Sequence, residues 1–360
     1  MVEYRYSELI NNYDECIKLD LNEFNDMHHS NLKTEIFNSL CKSKTITHYS
    51  NMCHETTVNL LNFIATYNKI DKDNIILSAG SDVGLGYLVN HLVKTNTTVY
   101  IFVPTYSYFY TLASKMSCNI NYIPFDIYDT DYNICNYLSK YIKNDFNDEN
   151  VVIYIVNPNN PTGILFDEKN IEDVFVKYCN FKFIIDEAYI EYCPNNSCIE
   201  YINKFSNIFI TRTFSKAYGL AGMRLGYISS NKKNIIELHK YFNESSLTEI
   251  SKVAANFIFM NIEYYENLIK NLNKRRDEFI IFLNLNNIKY IKSSASFVSI
   301  YIGDKSELFI EILKTNDIYI RSKTKDVNMH GFVRISIGTE NVMNLIKELI
   351  VKNKNIIDVS

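Results

Sequence analysis

Apolar residues recur in short unbroken runs through the first two thirds of the chain, each ending in polar or turn-forming residues. Runs over 74–77, 98–103, 151–156, 181–185 and 207–210 predict buried strands. The first is followed by Ala79-Gly80-Ser81-Asp82 and then by Leu85, Leu88, Val89, Leu92 and Val93 at helical spacing, so a glycine turn joins strand to helix. After Tyr227 the pattern changes. Helical periodicity over 233–242 and 251–285 precedes strands over 297–302, 318–321 and 332–337, which predicts a smaller α+β unit beginning near Asn243. No glycine- or serine-rich linker marks the border.

The run over 207–210 leads into T-R-T-F-S-K-A-Y-G-L-A-G-M-R-L-G-Y, residues 211–227, and so delivers one lysine, Lys216, to a sheet edge. Most lysines are solvated surface amines. A lysine that attacks an aldehyde must instead lose its proton, which desolvation or a cationic neighbour promotes. The surroundings favour the second reading: Thr213 and Ser215 supply hydroxyls, Arg224 a fork of donors, and Gly219, Gly222 and Gly226 let backbone approach closely. A phosphate cradle beside a reactive amine points to pyridoxal phosphate. Gly80, Ser81 and Asp82, at a helix start, would add backbone N–H donors to that cradle. Asp186 ends the run over 181–185, where a buried carboxylate requires a cation, and a protonated pyridine nitrogen is one. Tyr106, after the run over 98–103, is either a core aromatic or a flat face for the pyridine ring.

Composition narrows the setting. The chain has 360 residues, 47% hydrophobic and 22% charged, with a formal net charge of -4, which describes an ordinary globular protein. No basic block stands out, so nucleic acid is not expected as a partner. Eight cysteines form no C-x-x-C pair and seven histidines no H-E-x-x-H, so reduced thiols and no metal site are expected. Glu3, Arg5 and Glu8 are unlike a secretory segment and no apolar run approaches membrane-spanning length, so a cytoplasmic protein is expected.

The run S-K-A-x-G-L-A-G-x-R-x-G-Y resembles the lysine segment of fold-type I pyridoxal-phosphate aminotransferases, most closely the histidinol-phosphate aminotransferase family. The resemblance implies an α/β fold with a mostly parallel seven-stranded sheet flanked by helices, plus a smaller α+β domain. It divides the chain into an N-terminal arm (1–30) that joins the small domain and the dimer interface, a large cofactor domain (31–243) and a small domain (244–360). Lys216 would form the Schiff base and move the proton, with Thr213, Ser215 and Arg224 on the cofactor phosphate. N-P-N-N-P-T-G resembles the turn that presents an asparagine, here Asn160, to the ring 3-hydroxyl. Asp186 in D-E-A-Y would pair with the ring nitrogen, Tyr189 would donate beside Asn160, and Tyr106 would stack. L-D-L-N-E-F resembles a segment whose asparagine, Asn22, faces the substrate. Thr47-His48-Tyr49 resembles one whose tyrosine reaches the partner subunit's site. F-V-R-I-S-I-G-T resembles the carboxylate-binding strand, giving Arg334, and Arg321 matches a second arginine that holds a substrate phosphate. Phe24, Val83 and Ser296 stand where the family usually has asparagine, glutamate and asparagine.

The implied protein is a homodimer that transfers an amino group to a 2-oxo acid such as 2-oxoglutarate. Its amino substrate is a small acidic or phosphorylated compound, with histidinol phosphate the first candidate and another phosphorylated amine or amino alcohol the next. A decarboxylase of threonine or serine phosphate is the nearest alternative, and a cofactor-sensing regulator without turnover a remote one.

Overall fold

The structure, a computed structural model, describes residues 16–42, 48–49, 53–129, 131–142 and 150–358. The five early apolar runs supply five strands of a seven-stranded sheet, which Asn119–Pro124 and Gly226–Ser229 complete. Its spatial order is Ile75–Ser78, Gly226–Ser229, Ile208–Thr213, Lys182–Asp186, Val151–Val156, Thr98–Val103, Asn119–Pro124. Gly226–Ser229 runs antiparallel to both neighbours and every other pairing is parallel.

A largely parallel sheet is covered on both faces, which is why Val151–Val156 and Ile208–Thr213 are buried at every position instead of alternating. Alternation still decides which cover each side chain meets. Ile153, Ile155, Phe183 and Ile185 pack with Phe102, Phe166 and Phe175 on one face. Val152, Tyr154, Val156 and Ile184 pack with Leu85, Val99 and Phe109 on the other.

The strand that carries the lysine turn runs to Thr213, three residues past its apolar run, because the polar residues continue to pair: Thr211, Arg212 and Thr213 lie opposite Ile228, Tyr227 and Gly226. Arg212 tolerates burial there because its guanidinium is fully engaged. Its Nη2 lies 2.8 Å from Glu187 Oε2, and it also donates to Asn68 Oδ1 at 2.8 Å and to Ser197 Oγ at 2.6 Å.

The C-terminal part forms an antiparallel four-stranded sheet in the order Arg321–Ser322, Phe332–Ser336, Phe297–Tyr301, Tyr290–Ile291. Three expectations change in detail. The helix expected over 251–285 is two, Glu249–Met260 and Ile262–Leu285, parted at Asn261, whose side chain turns back to donate to Phe257 O at 2.9 Å. The strand expected over 318–321 divides as it changes sheets: Ile318–Tyr319 pairs with Ile17–Lys18 and Arg321–Ser322 with Phe332–Ser336. The helix expected over 233–242 stops earlier, as Lys232–Leu238. Because Ile17–Lys18 is anchored in this way, residues 19–22 form a strap, tied by Leu19 N to Tyr319 O and by Ser336 N to Leu19 O. Among the described residues no helix is long and apolar enough to cross a membrane.

Candidate active site

Three neighbouring parallel strands release their chemistry at the same sheet edge. Val151–Val156 leads to Asn160, Lys182–Asp186 ends on Asp186 and turns to Tyr189, and Ile208–Thr213 leads to Ser215 and Lys216. Carboxyl ends of parallel strands are where open α/β sheets hold ligands.

Lys216 is half-buried, and its Nζ donates to Leu21 O at 2.9 Å and lies 5.9 Å from the centre of the Tyr189 ring. Tyr189 Oη accepts from Asn22 Nδ2 at 2.8 Å and from Asn160 Nδ2 at 3.5 Å. Asn160 Oδ1 in turn accepts from Arg334 Nη1 at 2.6 Å, and Arg334 Nη2 donates to Asp20 O. Asn22, Tyr189, Asn160 and Arg334 therefore form one hydrogen-bonded line. The strap holds it from three consecutive positions, with Asp20 on Arg334, Leu21 on Lys216 and Asn22 on Tyr189.

Asp186 is 2% exposed. Its oxygens accept from Tyr154 Oη at 2.9 Å and from Ala188 N at 3.2 Å, and among the described residues no cation pairs with it. Burial pushes its carboxyl up to about 6, with the Tyr154 hydrogen bond working against that rise. The sheet edge is thus short of one positive charge.

At the other end, Gly80 begins the helix Ser81–Leu92 with φ +82°, and a Cβ there would stand 2.7 Å from Arg224 Nη2. Only glycine lets the guanidinium cross the helix start. Thr213 Oγ1 donates to Ser215 Oγ at 2.9 Å. Asp82 accepts from Tyr106 Oη at 3.0 Å and lies 3.5 Å from Arg224 Nη2, so its carboxylate is engaged and its backbone N–H is what it can offer an anion. The helix start crossed by Arg224, the paired hydroxyls of Thr213 and Ser215, the buried Asp186 carboxylate and the Lys216 amine are groups of the kinds that pyridoxal phosphate requires.

Beyond this set, Arg321 and Arg334 are directly opposed across adjacent strands, so their side chains share one face. Arg334 is 6% exposed with Nε unpaired, and the Arg321 side chain makes no hydrogen bond or ion pair among the described residues. Burial, and after it the Arg321 charge, lowers the Arg334 pKa. Facing cations repel, and an anion between them relieves this.

Tyr49 is 87% exposed and makes no hydrogen bond to the cluster, while Thr47 lies outside the described residues. Three contributors were not anticipated. Tyr154 is betrayed in the sequence only as the one polar-tipped residue of V-V-I-Y-I-V. Lys323 continues the alternation from Arg321; it pairs with Asp326 at 3.0 Å, and burial foremost, then the Arg334 charge, lowers it to about 8. The carbonyls of Asp20 and Leu21 leave no side-chain signal at all.

The aminotransferase class I and II family matches residues 14–349. A dihydroxyacetone phosphate transaminase of Campylobacter jejuni is 32% identical over 299 residues, covering 81% of this chain and 78% of that protein. A histidinol-phosphate aminotransferase of Buchnera aphidicola is 33% identical over 282 residues, covering 76% and 77%. Among solved structures, the histidinol-phosphate aminotransferase of Sinorhizobium meliloti in complex with pyridoxal-5'-phosphate superposes with a TM-score of 0.80 at 21% identity, covering 94% of this chain and 91% of that one. With the match running from the strap through the arginine strand, the chain belongs to the class I and II aminotransferases, enzymes that work with pyridoxal 5'-phosphate.

Proposed function

We propose that the protein moves an amino group between a phosphorylated amine or amino alcohol and a 2-oxo acid such as 2-oxoglutarate, with histidinol phosphate as the first candidate. The observation that carries this reading is the opposed pair Arg321 and Arg334, which presents two guanidiniums, one with a buried unpaired Nε, to the same space. The two relatives named above support it, since both are named for substrates that carry a phosphate.

In this reading each residue has a defined task. Thr213, Ser215, Arg224 and the N–H groups of Gly80, Ser81 and Asp82 hold the cofactor phosphate, with Tyr106 against its ring. Asp186 holds a proton's charge on the ring nitrogen, and Asn160 and Tyr189 donate to the ring 3-oxygen. When bound, the cofactor supplies an electron-withdrawing ring that accepts the charge of a substrate carbanion. Lys216 carries the proton that leaves and returns, which requires its Nζ to part from Leu21 O. Arg334 grips a carboxylate with two parallel N–H donors, Arg321 a phosphate, and Asn22 keeps Tyr189 in place from the substrate side. We further propose a cytoplasmic homodimer in which Tyr49 completes the partner's site. The chain would divide into an arm at 1–30, a large domain at 31–243 and a small domain at 244–360. The exposure of Tyr49 supports the dimer.

The test is a half-reaction. Mixing the purified, cofactor-loaded protein with L-glutamate should convert its yellow absorption to that of pyridoxamine phosphate as 2-oxoglutarate appears. A loaded protein that leaves glutamate unchanged but releases carbon dioxide from phosphothreonine would replace the reading with decarboxylation. Substituting Arg321→Gln should raise KM for the phosphorylated substrate about 10- to 100-fold, the size of one or two hydrogen bonds to charged groups. The glutamate half-reaction should change far less. Steady-state kinetics with each substrate varied in turn separates the two effects.

A further inference from the structure

We propose that Tyr154 is a positioning residue for the cofactor ring: its hydroxyl holds the Asp186 carboxylate ionised and in one orientation for the ring nitrogen. The geometry follows from strand register. Val156 lies directly opposite Asp186, so Tyr154, two residues earlier, is on the same face and one diagonal step away. Its ring stacks on Phe109 with centroids 4.2 Å apart and planes 14° apart, which fixes where the hydroxyl points.

Tyr154 is 1% exposed, in a strand whose other residues are all aliphatic. Phenylalanine would fill that volume without the cost of burying a hydroxyl. The hydroxyl instead spends its hydrogen bond on Asp186 Oδ2, at 2.9 Å, while Ala188 N holds Oδ1. The carboxylate is thereby clamped at both oxygens, with neutral donors only. Burial, reinforced by the Asp186 charge, keeps the phenol well above its ordinary pKa, so Tyr154 is the donor and Asp186 the acceptor whenever the carboxylate is ionised. A donor to a carboxylate favours its charged form, which opposes the effect of burial on Asp186. Tyr154 thus does for Asp186, before the cofactor arrives, part of what the ring nitrogen does afterwards.

The test measures binding by the cofactor-free protein, so no amino donor enters it and it stands apart from the substrate reading. Dissociation constants for pyridoxal phosphate and for its analogue with carbon in place of the ring nitrogen are measured between about pH 5 and 9, where the carboxylate changes state. In Tyr154→Phe the affinity for pyridoxal phosphate should fall about tenfold at neutral pH, one charged hydrogen bond's worth. Its loss on acidification should begin at a higher pH than in the wild type, and the analogue should bind as before. Equal weakening of both ligands, or an unshifted pH profile, would mean that Tyr154 merely packs and would overturn the proposal. Tyr154→His keeps a ring N–H donor and should keep the preference for pyridoxal phosphate. If Tyr154→Phe does not fold, that variant decides alone, and a preference lost in it overturns the proposal.

Discussion

Replacing Lys216 by alanine is expected to lower turnover by about 10³-fold or more, within the range that a positioned proton carrier contributes, while the chain still binds its cofactor. The structure gives the reason for this split. Among the described residues the Lys216 amine makes a single hydrogen bond, to Leu21 O. The proposed phosphate cradle of Gly80, Ser81, Thr213, Ser215 and Arg224 and the Asp186 carboxylate do not depend on that bond. Single-turnover mixing with L-glutamate and a separate binding titration check the two halves. Turnover at the normal rate in Lys216→Ala would remove the lysine from the mechanism altogether.

Asp186→Asn should change two quantities in opposite directions. The folded chain raises this carboxyl from 3.8 to about 6, chiefly through burial. A group whose folded value is raised retains a proton that the unfolded chain has released, so stability falls as pH rises between those values. Above about pH 6 the ionised group costs the cofactor-free protein about 3 kcal/mol. Asparagine cannot ionise. At pH 7 to 8, roughly where the linkage is complete, the cofactor-free variant should therefore resist denaturant better, by up to about that amount. Its turnover should nevertheless drop by about 10²- to 10³-fold, because the ring nitrogen loses the partner of a buried ion pair. Urea unfolding of the cofactor-free forms and kcat of the loaded forms are the measurements. A variant that is both less stable and fully active would contradict the electrostatic account on both counts.

The placement of these two residues was legible in the sequence for the same physical reason as that of Arg224: each lies within a few positions of a strand end, and the chemistry of its type suggests its partner, whereas Asn160 was singled out by the resemblance of its turn. Five strands of the sheet were legible because buried parallel strands read as unbroken apolar runs, whereas the largely exposed Asn119–Pro124 and the short antiparallel Gly226–Ser229 were not. What escaped depends on longer range. The strand through Arg212 outlasted its apolar run because Glu187, Asn68 and Ser197, remote in sequence, satisfy the guanidinium. Tyr154 acquires its meaning only through the register that sets Val156 against Asp186. The break at Asn261 is made by a side chain bonding its own backbone, which competes with the helix at a position where periodicity continues undisturbed. Lys323 gained its setting from the pairing of the Arg321 strand with its neighbour.

The strap has a consequence for heredity. Two of its three holds, on Arg334 and on Lys216, are made by main-chain oxygens, which every amino acid carries. Leu21 is 40% exposed, so its side chain can be exchanged while the oxygen beneath it goes on gripping the lysine. A survey of which letters vary would rate this position as unimportant. Deleting a single residue there is a different kind of event, because it moves every oxygen one place along and releases the lysine, the arginine and the tyrosine together. The stretch should therefore tolerate exchange of the Leu21 side chain better than a change in the number of residues between Lys18 and Glu23.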